Sequence, residues 1–171
     1  MARIRSLIPS RLNRQSLEHS ARTTLAAVIS LLVARALKLP EAYWAPITTL
    51  VVTQSSTVGA ALPISAQRFA GTALGAVMGA FLATLFGPGM VAFGVGVLLA
   101  GMICVLLRLE RSAYRFTGIT IAIVVLVARA SPPWIIAVHR FVEVSIGIAV
   151  GLGITALWPE RPQVAGQSPN Q

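Results

Sequence analysis

Apolar positions fall in six runs, residues 23–39, 42–58, 69–86, 90–107, 113–130 and 141–158, each 17 or 18 residues long. That length lies near the lower limit for a helix crossing a hydrocarbon core of about 30 Å. Without water, every backbone N–H and C=O must be paired within its own segment, so the runs predict helices. The two-residue alternation of a barrel strand is absent. The runs are separated by Leu39-Pro40-Glu41, by a segment 59–67 containing Pro63, by Gly87-Pro88-Gly89, by 108–112 and by Ser131-Pro132-Pro133, all recognisable helix punctuation. The pattern predicts an all-α membrane protein with six transmembrane helices.

The charges orient these helices. Thirteen of the fourteen basic residues are arginine and Lys38 is the only lysine. With the N-terminus in the cytoplasm, ten basic residues fall on inner segments and four (Arg35, Lys38, Arg129, Arg140) on outer ends, which satisfies the positive-inside rule with both termini cytoplasmic. The apolar stretch 25–33 followed by Ala34-Arg35-Ala36 also looks like a cleavable leader. However, more than twenty residues precede it, too many for a leader's basic start, so it is read as a retained first span. Residues 1–21, with Ile4, Leu7, Ile8 and Leu12 among four arginines, form either a basic amphipathic segment on the inner interface or a disordered basic tail. Residues 22–160 form the membrane domain and 161–171 a short flexible cytoplasmic tail.

Sliding the chain against itself by 72 residues aligns 41–86 with 113–158 without gaps, and nine positions are identical, among them Arg68/Arg140, Phe69/Phe141, Gly75/Gly147 and Gly79/Gly151. Three helices followed by three related ones enter the membrane from opposite sides, so this predicts an inverted 3+3 repeat, an arrangement common among transporters. The competing reading is that two unrelated helix starts converge on Arg-Phe because both residues suit the interface. The second and fifth runs occupy matching places and are the least regular; their Thr48, Thr49, Thr53, Gln54, Thr117 and Thr120 mark a candidate transport site or merely bond their own backbone. Gly71, Gly75 and Gly79, and likewise Gly147 and Gly151, recur at one-turn spacing and predict close helix packing.

Arg140 and Glu143 stand three apart and are expected to pair on one helix face; a desolvated Glu143 would instead be able to carry a proton. Arg68 and Arg140 are expected near the positive ends of their helices, where an anionic group would be favoured. Arg35 and Arg129 are expected to snorkel to headgroups.

Composition narrows the choices further. Hydrophobic residues make up 56% and charged residues 11%, with a mean hydropathy of +0.78, unlike a soluble domain or a disordered chain. A net charge of +9 taken alone suggests nucleic acid, but arginines flanking apolar runs point to the membrane instead. One cysteine, Cys104, two histidines and five acids leave no disulfide framework and no metal spacing, and no nucleophile–base set or phosphate loop is present. Neither an enzyme, nor a metal, nor a cofactor is expected.

Tyr43-Trp44-Ala45-Pro46-Ile47-Thr48, then Gln54-Ser55, then Arg68-Phe69-Ala70-Gly71-Thr72-Ala73-Leu74-Gly75, with Arg22-Thr23-Thr24 before and Leu157-Trp158-Pro159 after, resemble the fusaric acid resistance / aromatic acid exporter family over about residues 20–160. The resemblance implies a bacterial inner-membrane protein that exports aromatic or other small organic carboxylates, driven by the proton gradient. Plant organic-anion channels share the superfamily, so a passive anion channel is the first alternative; a non-transporting membrane subunit or envelope-integrity factor is the second. It carries over Tyr43, Trp44, Arg68, Gly71, Thr72 and Gly75. Combined with the polar residues above, the expected substrate-binding set is Tyr43, Trp44, Thr48, Gln54, Arg68, Thr120, Arg140 and Glu143, with Trp44, Phe69 and Tyr114 available to stack on an aromatic ring. Larger family members carry a second membrane block or a cytosolic domain, so a homodimer or a partner membrane chain is expected here.

Overall fold

The computed structural model describes residues 14–127 and 131–159. Six helices account for nearly all of them: α1 (Arg14–Ala36), α2 (Trp44–Val52), α3 (Val58–Phe86), α4 (Met90–Leu106), α5 (Arg111–Leu126) and α6 (Pro133–Leu157). No strand occurs among the described residues.

The two long helices, α3 with 29 residues and α6 with 25, are the ones long and apolar enough to cross a bilayer by composition alone. They pack together at the centre, where Phe69 and Phe141 touch with ring centroids 4.9 Å apart. α5 lies along α3 and α2 along α6, with α4 outside α5 and α1 outside α2.

Small residues set these pairings. A Cβ built on Gly75 would lie 2.6 Å from the Thr117 carbonyl oxygen and 2.8 Å from Thr120 Cβ; one built on Gly147 would crowd the Ala45 carbonyl oxygen and lie 2.6 Å from Thr48 Cβ. Gly79 meets Val124 as Gly151 meets Val52. Since lipid is as apolar as leucine, such backbone-to-backbone approach is the chief attraction available to helices in a membrane. The C-termini of α1 and α4 also match. Lys38 and Arg108 take positive φ of 54° and 53°, and Leu39 N–H and Leu109 N–H reach back to the Ala34 and Cys104 carbonyls, a Schellman closure in each. These ends are 70 residues apart against the 72-residue offset, so Arg108 to Phe116 is two residues longer than Lys38 to Trp44.

Polarity is distributed inside out. Val91, Leu98, Met102 and Val105 on α4, and Leu25, Val28 and Leu32 on α1, face outward, while Arg22, Thr48, Thr49, Thr53, Arg68, Thr117, Thr120, Arg140, Glu143 and Thr155 are buried. Such continuous apolar exposure does not suit a soluble monomer.

Helix boundaries depart from the hydropathy reading. The expected break at 59–67 is helical: Thr57 caps α3, its hydroxyl accepting from Ala60 N–H, and Pro63 sits inside the helix in its second turn, where the ring removes the bond to the Gly59 carbonyl without ending the helix. Arg68 is therefore ten residues into α3 and Arg140 seven into α6. The expected help from helix N-terminal dipoles is absent, because that field fades within the first turn. The expected span 42–58 contains a helix of only nine residues. Residues 14–21 continue α1 rather than forming a separate segment. The rest of the basic N-terminal segment, the 161–171 tail and Arg129 lie outside the described residues.

Candidate functional site

Where α2 stops at Val52 the backbone turns irregular through 53–57, leaving carbonyls to be satisfied. Arg22, fully buried on α1, supplies the donors. Its Nη2 donates to the Thr53 carbonyl at 3.0 Å and the Ser55 carbonyl at 3.2 Å, and its Nη1 to the Trp158 carbonyl past α6 at 3.3 Å. The ends of α2 and α6 are thus tied to α1. Non-helical backbone away from water requires partners of this kind.

Further along α2 lie the two arginines singled out by the repeat. Arg68 donates from Nε (3.2 Å) and Nη2 (3.0 Å) to Thr48 Oγ1, and its guanidinium stands 4.6 Å over the Phe116 ring. Arg140 lies 3.7 Å over the Trp44 ring. Phe116 and Trp44 are themselves 72 residues apart, so each arginine stacks on the same position of the opposite short helix, an attraction strengthened by desolvation.

The two arginines differ in what else they touch. Arg68 spends its donors on Thr48, whereas the buried Nε and Nη1 of Arg140 have no hydrogen-bond partner. Arg140 lines a pocket of about 160 Å³ with Pro40, Glu41, Ser131, Ile136, His139 and Glu143. Glu143, 1% exposed, accepts the Glu41 backbone N–H on Oε1 at 3.2 Å. Glu41 in turn accepts the Trp44 indole N–H on Oε2 at 3.0 Å. The pocket has room for roughly five waters at about 30 Å³ each, which suits a carboxylate and a small body rather than a drug-sized molecule. Larger grooves run along α4 and between α3 and α6 (about 780 and 350 Å³), but their linings are apolar side chains except for Tyr114 and Trp134.

Of the residues singled out from sequence, Arg140 and Glu143 line this pocket, Trp44 lies under the Arg140 guanidinium, and Thr48 is taken up by Arg68. Thr120 is buried, with its hydroxyl donated to the Phe116 carbonyl. Gln54 is exposed past the far end of α2 from Trp44. Tyr43 is half exposed, its ring against Trp44, and Tyr114 packs beside Gly101 of α4. Glu41, His139, Phe116 and Arg22 were not singled out as site residues. The 72-residue offset from Trp44 would have found Phe116, while no local signal marks the other three.

A family model described as fusaric acid resistance protein-like matches residues 26–154. The chain belongs to that family. It is 31% identical over 149 residues to Inner membrane protein YeeA of Escherichia coli K12, covering 84% of this chain and 41% of that protein. It is 33% identical over 142 residues to Uncharacterized transporter YdhK of the same strain, covering 78% of this chain and 21% of that protein. The chain thus spans less than half the length of these curated relatives. No solved structure matches it. The matched stretch contains every residue of the pocket and both arginine–aromatic stacks.

Proposed function

We propose that this family member is a multi-pass inner-membrane transporter that moves small organic carboxylates, aromatic ones included, outward, with Arg140 taking the carboxylate. The observation that carries this reading is an arginine only 3% exposed, beside a small pocket, with two buried guanidinium nitrogens that have no hydrogen-bond partner. A buried charged donor without a partner is costly, and an anion that fills its place recovers that cost. The inside-out polarity and the names of the two relatives support a membrane location, and one relative's name supports transport.

In this reading all six helices lie in the membrane as an inverted repeat. The matched arginine–aromatic stacks and glycine contacts support that pairing. The nine-residue α2 and the 16-residue α5 are the short, interrupted elements at which transporters of this kind place their substrate. A second copy or a partner chain completes the pathway.

Benzoate flux into proteoliposomes tests the proposal. Wild type is expected to transport benzoate and Arg140→Ala to lose at least tenfold of that rate while inserting normally. Voltage-dependent current without accumulation would make the protein a passive anion channel, and silence would make it a non-transporting subunit.

A further inference from the structure

Around their arginines the two halves share the Arg-Phe pair, the glycine that follows it and the aromatic stack, and they differ in where carboxylates stand. At the 72-residue offset, Glu143 corresponds to Gly71 and Glu41 to Ala113. In one half Gly71 lies directly against the Ala113 carbonyl, so no space remains there, and the neighbouring Gln67 is held by Glu110 and Ser112. In the other half the same positions carry two carboxylates around the pocket that Arg140 faces. Packing alone would be served by the glycine–alanine pair, as it is in the first half. The acids therefore have another role.

Their surroundings divide that role between them. Glu41 is partly exposed and its carboxylate is held by the Trp44 indole N–H. Glu143 is buried beside Arg140, three residues away on the same helix. With both acids ionised and His139 neutral, the pocket carries one positive and two negative charges, and an incoming carboxylate meets net repulsion. Neutralising one acid removes that repulsion without removing Arg140.

We propose that Glu143 is the proton-binding switch of this anion pocket: protonated, it leaves Arg140 to the substrate carboxylate, and ionised, it competes for Arg140. The proton adds to the Glu143 carboxylate from pocket water and leaves by the same route, with no other bond made or broken. The ionisable groups around Glu143 are Glu41 from the α1–α2 connection and Arg140 and His139 from α6. Behind them the charge of Arg68 on α3 acts on Arg140, and the titratable phenol of Tyr43 before α2 stands near it. Proton and anion binding are thereby positively linked, each raising the affinity for the other by the same factor. An exchange in which the proton displaces the anion, the coupling by which an inward proton gradient would drive export, has the opposite sign, so on this linkage that gradient does not power the outward movement. The inference rests on Arg140 being the anion site.

The test is equilibrium binding of radiolabelled benzoate to the full chain in lipid nanodiscs between about pH 5.5 and 8, a range above the probe's own carboxylate titration. Wild type is expected to bind more weakly as pH rises, by up to tenfold per unit, and to take up one proton per anion in weak buffer. Glu143→Gln is expected to bind with the acid-form affinity at every pH. Glu143→Asp and His139→Gln are expected to keep the slope. A slope that survives in Glu143→Gln, or disappears in His139→Gln, overturns the assignment to Glu143. Should Glu143→Gln not fold, benzoate binding to wild type and to His139→Gln without proton uptake overturns it equally. Absence of benzoate binding at every pH overturns the anion site itself, whereas pH-independent binding overturns only the switch.

Discussion

Two arginines at equivalent places do different work because of single neighbours. Thr48 offers Arg68 a hydroxyl oxygen, while Arg140 has the flat face of Trp44 and an open pocket. Hydrogen bonds to a charged group contribute about 1.5–3 kcal/mol each. Arg68→Ala is therefore expected to lower the thermal unfolding midpoint in detergent more than Arg140→Ala does, and Arg140→Ala to weaken benzoate binding more. The reverse order in both measurements would exchange the bracing and binding roles. Arg68 and Arg140 were both legible as special from their matched Arg-Phe pairs. Which one keeps unpartnered donors was not, because that depends on Thr48, twenty residues from Arg68, and on what fills the space at position 143.

At the scale of helices, glycine spacing raised the expectation of close packing, and Gly75 and Gly147 lie against the backbone of α5 and α2. A methyl group there collides with a backbone carbonyl, which cannot rotate aside as a side chain can. Gly75→Ala and Gly147→Ala are each expected to cost about 1–3 kcal/mol in an unfolding assay, whereas Gly153→Ala, with open space around its Cα, should cost nothing. Equal effects at all three would remove close packing as the glycines' role. Helix limits were less legible. Ser65, Gln67 and Arg68 interrupt the apolar run and led to a start at residue 69 instead of Val58, although Ser65 and Arg68 are buried. Hydropathy averages over all sides of a helix, so it does not distinguish a polar residue facing a protein interior from one facing water. For the same reason nothing in residues 14–36 announces that Arg22 closes the ends of two other helices.

For the whole molecule, the arrangement of α1, α2 and α6 is repeated by α4, α5 and α3, each short helix lying on the long helix of the other half. If that exchange reflects opposite insertion, reporters fused before α1 and after α6 will read the same compartment, and a reporter placed between α3 and α4 will read the other one. Head and tail in opposite compartments would dissolve the inverted pairing and the transport mechanism built on it.

The chain's own pattern was sufficient for helical character and for a membrane setting, and it raised the small-residue packing faces and the 72-residue kinship as expectations, because each is a local or periodic property of side-chain size and polarity. Only the tertiary structure decided that Glu41 and Glu143, 102 residues apart, share one small pocket with Arg140, whose guanidinium stacks on Trp44. Spacing along a helix fixes neighbours within a turn or so. Neighbours from distant segments are fixed by how α2 seats in the glycine groove of α6, and that seating depends on shapes from both helices at once.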